Sequence, residues 1–255
     1  MLSIVVPGFN EAGNLRPLIS AIHSSMARVS LRYEIIYVDD ASTDESWALL
    51  QELGAADPRL RALRLARNSG QSAALWAGLQ AAKGSHIATL DADLQNNPAD
   101  LPLFLDALGD WDCVCGSRRQ TRSQGDNRIR QLSSRLANWI RNRVTRENIR
   151  DSACGYRVFK RECVANLKFF NGMHRFLPTL IKIEGFSVTE IPVQHQMRHA
   201  GLSKYGVWNR LFVTLGDLYA VRWMQVRMTR YVIAEQINMS PEPDAPKQAR
   251  SIVPD

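Results

Sequence analysis

In the stretch ATLDADLQNNP, residues 88–98, two aspartates one residue apart follow a short apolar run, and Gln95 comes two residues later. A carboxylate where a buried strand stops is costly unless it meets a cation, a donor or water. Side chains at i and i+2 of an extended segment share a face. Asp91 and Asp93, with the amide oxygen of Gln95, therefore form a set of hard oxygen donors suited to Mg2+ or Mn2+. Such a cation bridges a diphosphate and neutralises the charge on a departing nucleotide. The competing reading is a solvated turn that caps a helix starting at residue 99.

Other polar clusters sit at the ends of apolar runs. VDDAST (38–43) ends one with two carboxylates. A helix cap explains one of them, and the other can accept hydrogen bonds from a base or a ribose. GFNEAGN (8–14) spaces two glycines like a phosphate loop, but no Lys-Ser/Thr follows Gly13 and no G-x-G-x-x-G appears. ATP-type and dinucleotide fingerprints are thereby excluded. Asn10 or Asn14 as a simple helix cap is the plain reading of that stretch.

Charge is focused. The 255-residue chain carries a net +7, and residues 118–150 alone hold ten arginines against Asp126 and Glu147. Such a focus points to an anionic partner: a phosphorylated substrate, a membrane surface or nucleic acid. Nucleic acid is disfavoured, because aromatic stacking platforms are not interleaved with the arginines. Cys113, Cys115, Cys154 and Cys163 lack zinc-like spacing and read as buried free thiols. The five histidines show no ligand spacing either. No run of about 18 apolar residues suggests a spanning helix, and the N-terminal MLSIVVPGFNE reads as a first strand rather than a leader.

The elements that must position these residues alternate. Strands are expected at 2–6, 33–38, 60–65, 86–90 and 112–117. Helices are expected after the first strand, from Ala41 with Ser42 or Thr43 as cap, over 71–82 with Gly84 stopping it, and over 99–108. This pattern predicts an α/β fold with a mostly parallel, doubly wound sheet. Ligands of such sheets lie beyond the carboxyl ends of the strands, where 7–11, 39–40, 68–70 and 91–93 all fall. Residues 126–146 form a basic amphipathic helix, 176–183 a helix and 186–193 a strand. RHAGLSKYG (198–206) reads as a loop. Residues 207–238 read as a C-terminal helical segment with Trp208, Phe212, Tyr219, Trp223 and Tyr231, and 239–255 as a disordered tail.

Taken in order, IVVPGFNE, YEIIYVDDASTDES, RNSGQSAALWAGL, ATLDADLQNNP, GSR and DSACGYRVFKRE resemble family 2 glycosyltransferases. The resemblance is strongest to the dolichyl- and polyprenyl-phosphate sugar synthases, of the dolichyl-phosphate mannosyltransferase type, and covers residues 1–206. It implies a GT-A (Rossmann-like) catalytic domain over that span, flanked by helices. It also implies inverting, metal-dependent transfer of a sugar from a UDP- or GDP-linked donor to a polyprenyl phosphate such as undecaprenyl or dolichyl phosphate. Carried over residue by residue, Pro7, Phe9, Glu11, Asp39, Asp91 and Ala92 would border the nucleotide. Asp91 and Asp93 would handle the sugar diphosphate and Mg2+ or Mn2+, with Asp93 and Gln95 as metal ligands. Arg118, Arg130 and Ser134 would hold the lipid phosphate, and Asp151 would sit near the reacting sugar as a catalytic residue. Arg198, Ser203 and Lys204 would lie on a loop that closes on the diphosphate.

The residues agree with that implication in one respect. A phosphate ester's second pKa is about 6, so the acceptor is already a nucleophilic anion and needs guanidinium positioning more than deprotonation. Many such synthases carry C-terminal transmembrane helices, and no such stretch occurs here. Helices 126–146 and 208–237 are therefore expected to lie in the membrane interface, or the second to dock on a small integral-membrane partner or pack in its own domain. The expected location is cytoplasmic and peripheral, at the inner face of the cytoplasmic membrane. Two competing readings are a glycosyltransferase acting on a soluble or polysaccharide acceptor, and a non-enzymatic basic module that binds membrane or nucleic acid.

Overall fold

The computed structural model describes residues 1–118, 128–152, 154–194 and 207–229, without the side chains of 128–136 and 207–214. Among the described residues seven strands form one sheet: β1 (Leu2–Gly8), β2 (Tyr33–Asp39), β3 (Leu60–Arg64), β4 (His86–Thr89), β5 (Cys113–Ser117), β6 (Arg157–Lys160) and β7 (Val188–Pro192). Their order is β3-β2-β1-β4-β6-β5-β7. Every pairing is parallel except those that β6 makes with β4 and β5.

The central strands are apolar on both faces, as a sheet covered by helices on both sides requires. Ile4, Val6, Ile35 and Tyr37 point into one core with α1 (Ala12–Met26), α2 (Ser46–Ala56) and α4 (Leu101–Ala107). Val5, Ile36, Val38 and Ile87 point into the other with α3 (Gln71–Ala81), α6 (Leu177–Ile183) and α7 (Val207–Arg227). Each fully buried aliphatic side chain contributes roughly 1.5–3 kcal/mol, so these two layers hold the strand ends in register.

Two boundaries differ from expectation. Helix α2 starts at Ser46, not near Ala41, because the hydroxyls meant to cap it are used elsewhere. Ser42 Oγ accepts from the Asn10 amide at 2.8 Å, and the Thr43 amide donates to Asn10 Oδ1 at 2.8 Å. Helix α3 ends at Ala81, where Ala82 turns extended before Gly84 is reached. Neither Asn10 nor Asn14 caps α1.

The strand not foreseen from sequence is β6. It is four residues long and antiparallel, and its direction matters. Arg157, at its start, pairs with Thr89, at the end of β4. The loop that precedes β6 therefore arrives at the carboxyl rim of the sheet; a parallel strand would have delivered it to the opposite edge. Helix α5 (Arg128–Thr145) lies close to the predicted basic helix, and α7 ends at Arg227. Residues 230–238 and the tail lie outside the described residues. All four cysteines are buried free thiols. Among the described residues no helix is long and apolar enough to cross a membrane.

Candidate active site

Three loops at the carboxyl rim carry a non-glycine residue in the left-handed region: Asn10 (φ 56°), Ala41 (φ 58°) and Leu94 (φ 59°). Each costs on the order of 1 kcal/mol or more, and such residues gather where surrounding structure dictates the backbone. At Leu94 the reason is visible. Ala92 and Leu94 are buried, while Asp91, Asp93 and Gln95 are half-buried. The apolar pair anchors the loop in the core, and the three oxygen-bearing side chains are the half-buried positions that alternate with it. Residues 92 and 93 lie in a turn and Leu94 is left-handed, so the extended segment expected from sequence stops before Asp93, although Asp93 stays near enough to act on the Asp91 carboxyl.

Asp91 receives one side-chain amide on each oxygen: Gln71 Nε2 at 3.0 Å on Oδ1 and Asn96 Nδ2 at 3.2 Å on Oδ2. Burial and then the like charge of Asp93 push the Asp91 carboxyl above its ordinary value; Arg118 and Arg157 pull the other way. The Gln95 amide donates to Asp93 Oδ1 at 3.2 Å. Two carboxylates that repel each other, beside a neutral amide, are an arrangement a divalent cation would relieve. Among the described residues no three His, Cys, Asp or Glu side chains gather into a cage. A pair of carboxylates completed by substrate phosphates is how Mg2+ is commonly held, so the residues present fit such an ion.

The residues expected to border a nucleotide lie on the same rim. Gly8 is in register with Asp39, which places Pro7, Phe9 and Glu11 beside the end of β2. Pro7, Phe9 and Glu11 are half-buried. Asp39 is fully buried; it accepts from the Ser42 amide at 3.2 Å and pairs with Arg64 Nε at 3.3 Å. Asp40 is used structurally, since its two oxygens accept the Ser69 and Gly70 amides at 2.7 and 2.8 Å. It ties the RNSG turn to β2.

Beside the acidic loop of Asp91 and Asp93, Arg118 and Asp151 form one buried unit, 6% and 8% exposed. Arg118 Nε donates to Asp151 Oδ2 at 2.8 Å, Nη2 to Oδ1 at 3.1 Å, and its backbone amide to Oδ2 at 3.0 Å. Burial opposes the guanidinium charge, yet the bonds and charge of Asp151 outweigh it and hold the Arg118 pKa above its ordinary value. From sequence these residues are separate actors, one for a phosphate and one for a sugar; the structure joins them. Glu190, on edge strand β7, fixes the approach by accepting the Arg150 and Asp151 amides at 2.7 and 2.9 Å.

The two sides meet at Gly155, which follows Asp151 in the loop before β6. A Cβ built there would stand 2.4 and 2.6 Å from the Asp91 oxygens, so only glycine lets this loop pass the carboxylate. Gly155→Ala must push Asp91 aside, and a displacement of about 1 Å costs on the order of 10²-fold in rate. We expect that loss in steady-state turnover, with a folded circular-dichroism spectrum; wild-type turnover by Gly155→Ala would show that Asp91 has room to spare.

Of the remaining predicted site residues, Arg130 and Ser134 sit on α5 with side chains outside those described, and Arg198, Ser203 and Lys204 lie outside the described residues. The residues missed from sequence are Gln71, Asn96, Gly155 and Glu190. Gln71, Asn96 and Gly155 lie inside segments already singled out, RNSGQSAALWAGL, ATLDADLQNNP and DSACGYRVFKRE, whereas Glu190 had no local signal.

Residues 3–167 match the profile of glycosyl transferase family 2. The chain is 35% identical over 225 residues to a dodecaprenyl-phosphate galacturonate synthase of Rhizobium johnstonii, covering 86% of this chain and 66% of that protein. It is 35% identical over 208 residues to an undecaprenyl-phosphate 4-deoxy-4-formamido-L-arabinose transferase of Edwardsiella ictaluri, covering 81% and 63%. The chain thus spans just under two thirds of the length of these relatives. Among solved structures it resembles a Pyrobaculum calidifontis mannosyltransferase in complex with GDP-Man and Mn2+, with a TM-score of 0.60, 19% identity and coverage of 91% and 65%. It also resembles a Mycobacterium tuberculosis glucosyl-3-phosphoglycerate synthase in complex with Mn2+, UDP and phosphoglyceric acid, with a TM-score of 0.63, 18% identity and coverage of 90% and 80%. At that identity the likeness shows the fold, which is GT-A-like.

Proposed function

Because the chain belongs to glycosyl transferase family 2, we propose that it transfers a sugar, with inversion, from a UDP- or GDP-linked donor to a polyprenyl phosphate. The observation that carries this reading is the meeting, across Gly155, of an acidic segment and a buried arginine on one sheet rim. Relatives named for dodecaprenyl- and undecaprenyl-phosphate products support the acceptor class. Neighbours in complex with nucleotides and Mn2+ support the donor and the ion.

In this reading Pro7, Phe9, Glu11, Asp39 and Ala92 border the base and ribose. Asp93 and Gln95 hold Mg2+ or Mn2+, and Asp91 faces the sugar diphosphate. The ion, when bound, neutralises charge on the departing nucleoside diphosphate. Arg118, Arg130 and Ser134 hold the acceptor phosphate, and Asp151 keeps the Arg118 fork in one orientation. Arg198, Ser203 and Lys204 close over the diphosphate. No side chain need remove a proton, because the acceptor is already an anion.

A lipid acceptor requires a route to the bilayer. On α7, Leu215, Tyr219, Trp223 and Val226 are exposed on one side, while Leu218 and Val221 face the core. Arg222 and Arg227 sit on the same helix, and α5 exposes Trp139 and Arg143. Aromatic side chains beside arginines suit an anionic membrane surface. This supports our proposal of a peripheral location, at the inner face of the cytoplasmic membrane; docking on a small integral-membrane partner is the competing arrangement.

The test is a panel of UDP- and GDP-sugars with a short-chain polyprenyl phosphate and Mn2+, scoring the nucleotide released. Release that depends on the lipid phosphate is expected. Equal release with a polysaccharide acceptor alone would favour the soluble-acceptor reading, and failure of every nucleotide sugar to bind would sink the enzyme assignment. Co-sedimentation with anionic vesicles, lost in Trp223→Glu, decides the membrane arm.

A further inference from the structure

We propose that Gln71 is a positioning residue that fixes the plane of the Asp91 carboxylate for the sugar diphosphate; this deepens the transfer reaction proposed above. Asp91 is held by two neutral amides, Gln71 Nε2 at 3.0 Å and Asn96 Nδ2 at 3.2 Å, one on each oxygen. A cation in either place would orient the carboxylate and cancel its charge. An amide orients it and leaves the charge for the divalent cation that would accompany the diphosphate.

The backbone on either side of Gln71 is pinned. Before it, the Ser69 and Gly70 amides donate to Asp40 at 2.7 and 2.8 Å, and Gly70 has φ +88°, a conformation that other residues adopt only with strain. After it, Ser72 Oγ accepts the Gly172 amide at 2.9 Å and lies 2.6 Å from His174 Nδ1. Gln71 thus projects from a fixed Cα at the first turn of α3, and its side chain is exposed. Neither core needs that side chain. What it touches is Asp91, on the strand end 20 residues away. Asn96 differs in being almost fully buried, so Gln71 is the member of the pair that can be removed cleanly.

The experiment compares wild type, Gln71→Ala, Gln71→Asn, Asp91→Ala and the double variant Gln71→Ala/Asp91→Ala in the full chain. Partners that orient a ligand from behind typically cost 10–100-fold when removed. We expect Gln71→Ala to weaken binding of nucleoside diphosphate with Mn2+, measured by calorimetry, by at least about tenfold. Transfer by Gln71→Ala should fall by a similar factor while its thermal midpoint stays at the wild-type value. Gln71→Asn, one methylene too short to reach, should behave like Gln71→Ala. In the Asp91→Ala background, Gln71→Ala should add nothing. Wild-type nucleotide binding by Gln71→Ala would overturn the proposal, as would a loss that tracks a lowered midpoint or persists in full without Asp91. The binding readout decides the role of Gln71 even if the wild type transfers no sugar, an outcome that would count against the reaction itself.

Discussion

Asp93→Ala is expected to reduce sugar transfer by roughly a thousandfold. A bound divalent cation supplies several kcal/mol of charge stabilisation to a departing diphosphate, and about 4 kcal/mol corresponds to three powers of ten in rate. Asp93 sits in a loop anchored by Ala92 and Leu94. Asp93→Ala removes one charge from a pair and also the acceptor of the Gln95 backbone amide. Asp93→Asn, which keeps the shape and discards the charge, should be nearly as inactive. Initial rates against Mn2+ concentration provide the check, alongside a thermal midpoint close to wild type. Retention of more than a tenth of the activity at any Mn2+ concentration would remove Asp93 from the ion's shell.

The second large effect is on folding. Asp151→Ala takes away the two-pronged partner of a buried guanidinium, and breaking a buried pair from one side costs about 3–5 kcal/mol. Denaturant unfolding should show stability lowered by that amount. Replacing both partners, as in Arg118→Met/Asp151→Leu, should recover part of the stability, because both charges of the pair are removed together, while Asp91 loses the opposing charge of Arg118. It should not recover transfer, since Arg118 is the described residue proposed to hold the acceptor phosphate. A stable but inactive Asp151→Ala would instead assign the aspartate to chemistry alone.

What was legible in the sequence was local. The apolar runs of β1, β2, β4 and β5 and the polar residues that end them, Asp91 and Asp93 among them, could be read directly. What was not legible joins distant segments. Arg118 and Asp151 lie 33 residues apart, and nothing near either one announces an ion pair. Ser42 and Thr43 have strong helix-capping propensity, yet a loop 32 and 33 residues earlier claims their polar groups. RVFK, the β6 segment, is too short to show a period, and its antiparallel direction follows from tertiary pairing rather than from residue type. The close pass at Gly155 follows from that direction.

The strand order also dictates when the cleft can exist during synthesis on the ribosome. β1, β2, β3 and β4 are contiguous neighbours, so half of the sheet can assemble once residue 89 has left the exit tunnel. β5 pairs only with β6 and β7. It stays an unseated strand with open edges until residues 157–160 emerge. The nascent chain thus carries a formed four-stranded half and an exposed apolar strand at the same time, which makes this interval the one in which a chaperone has most to protect.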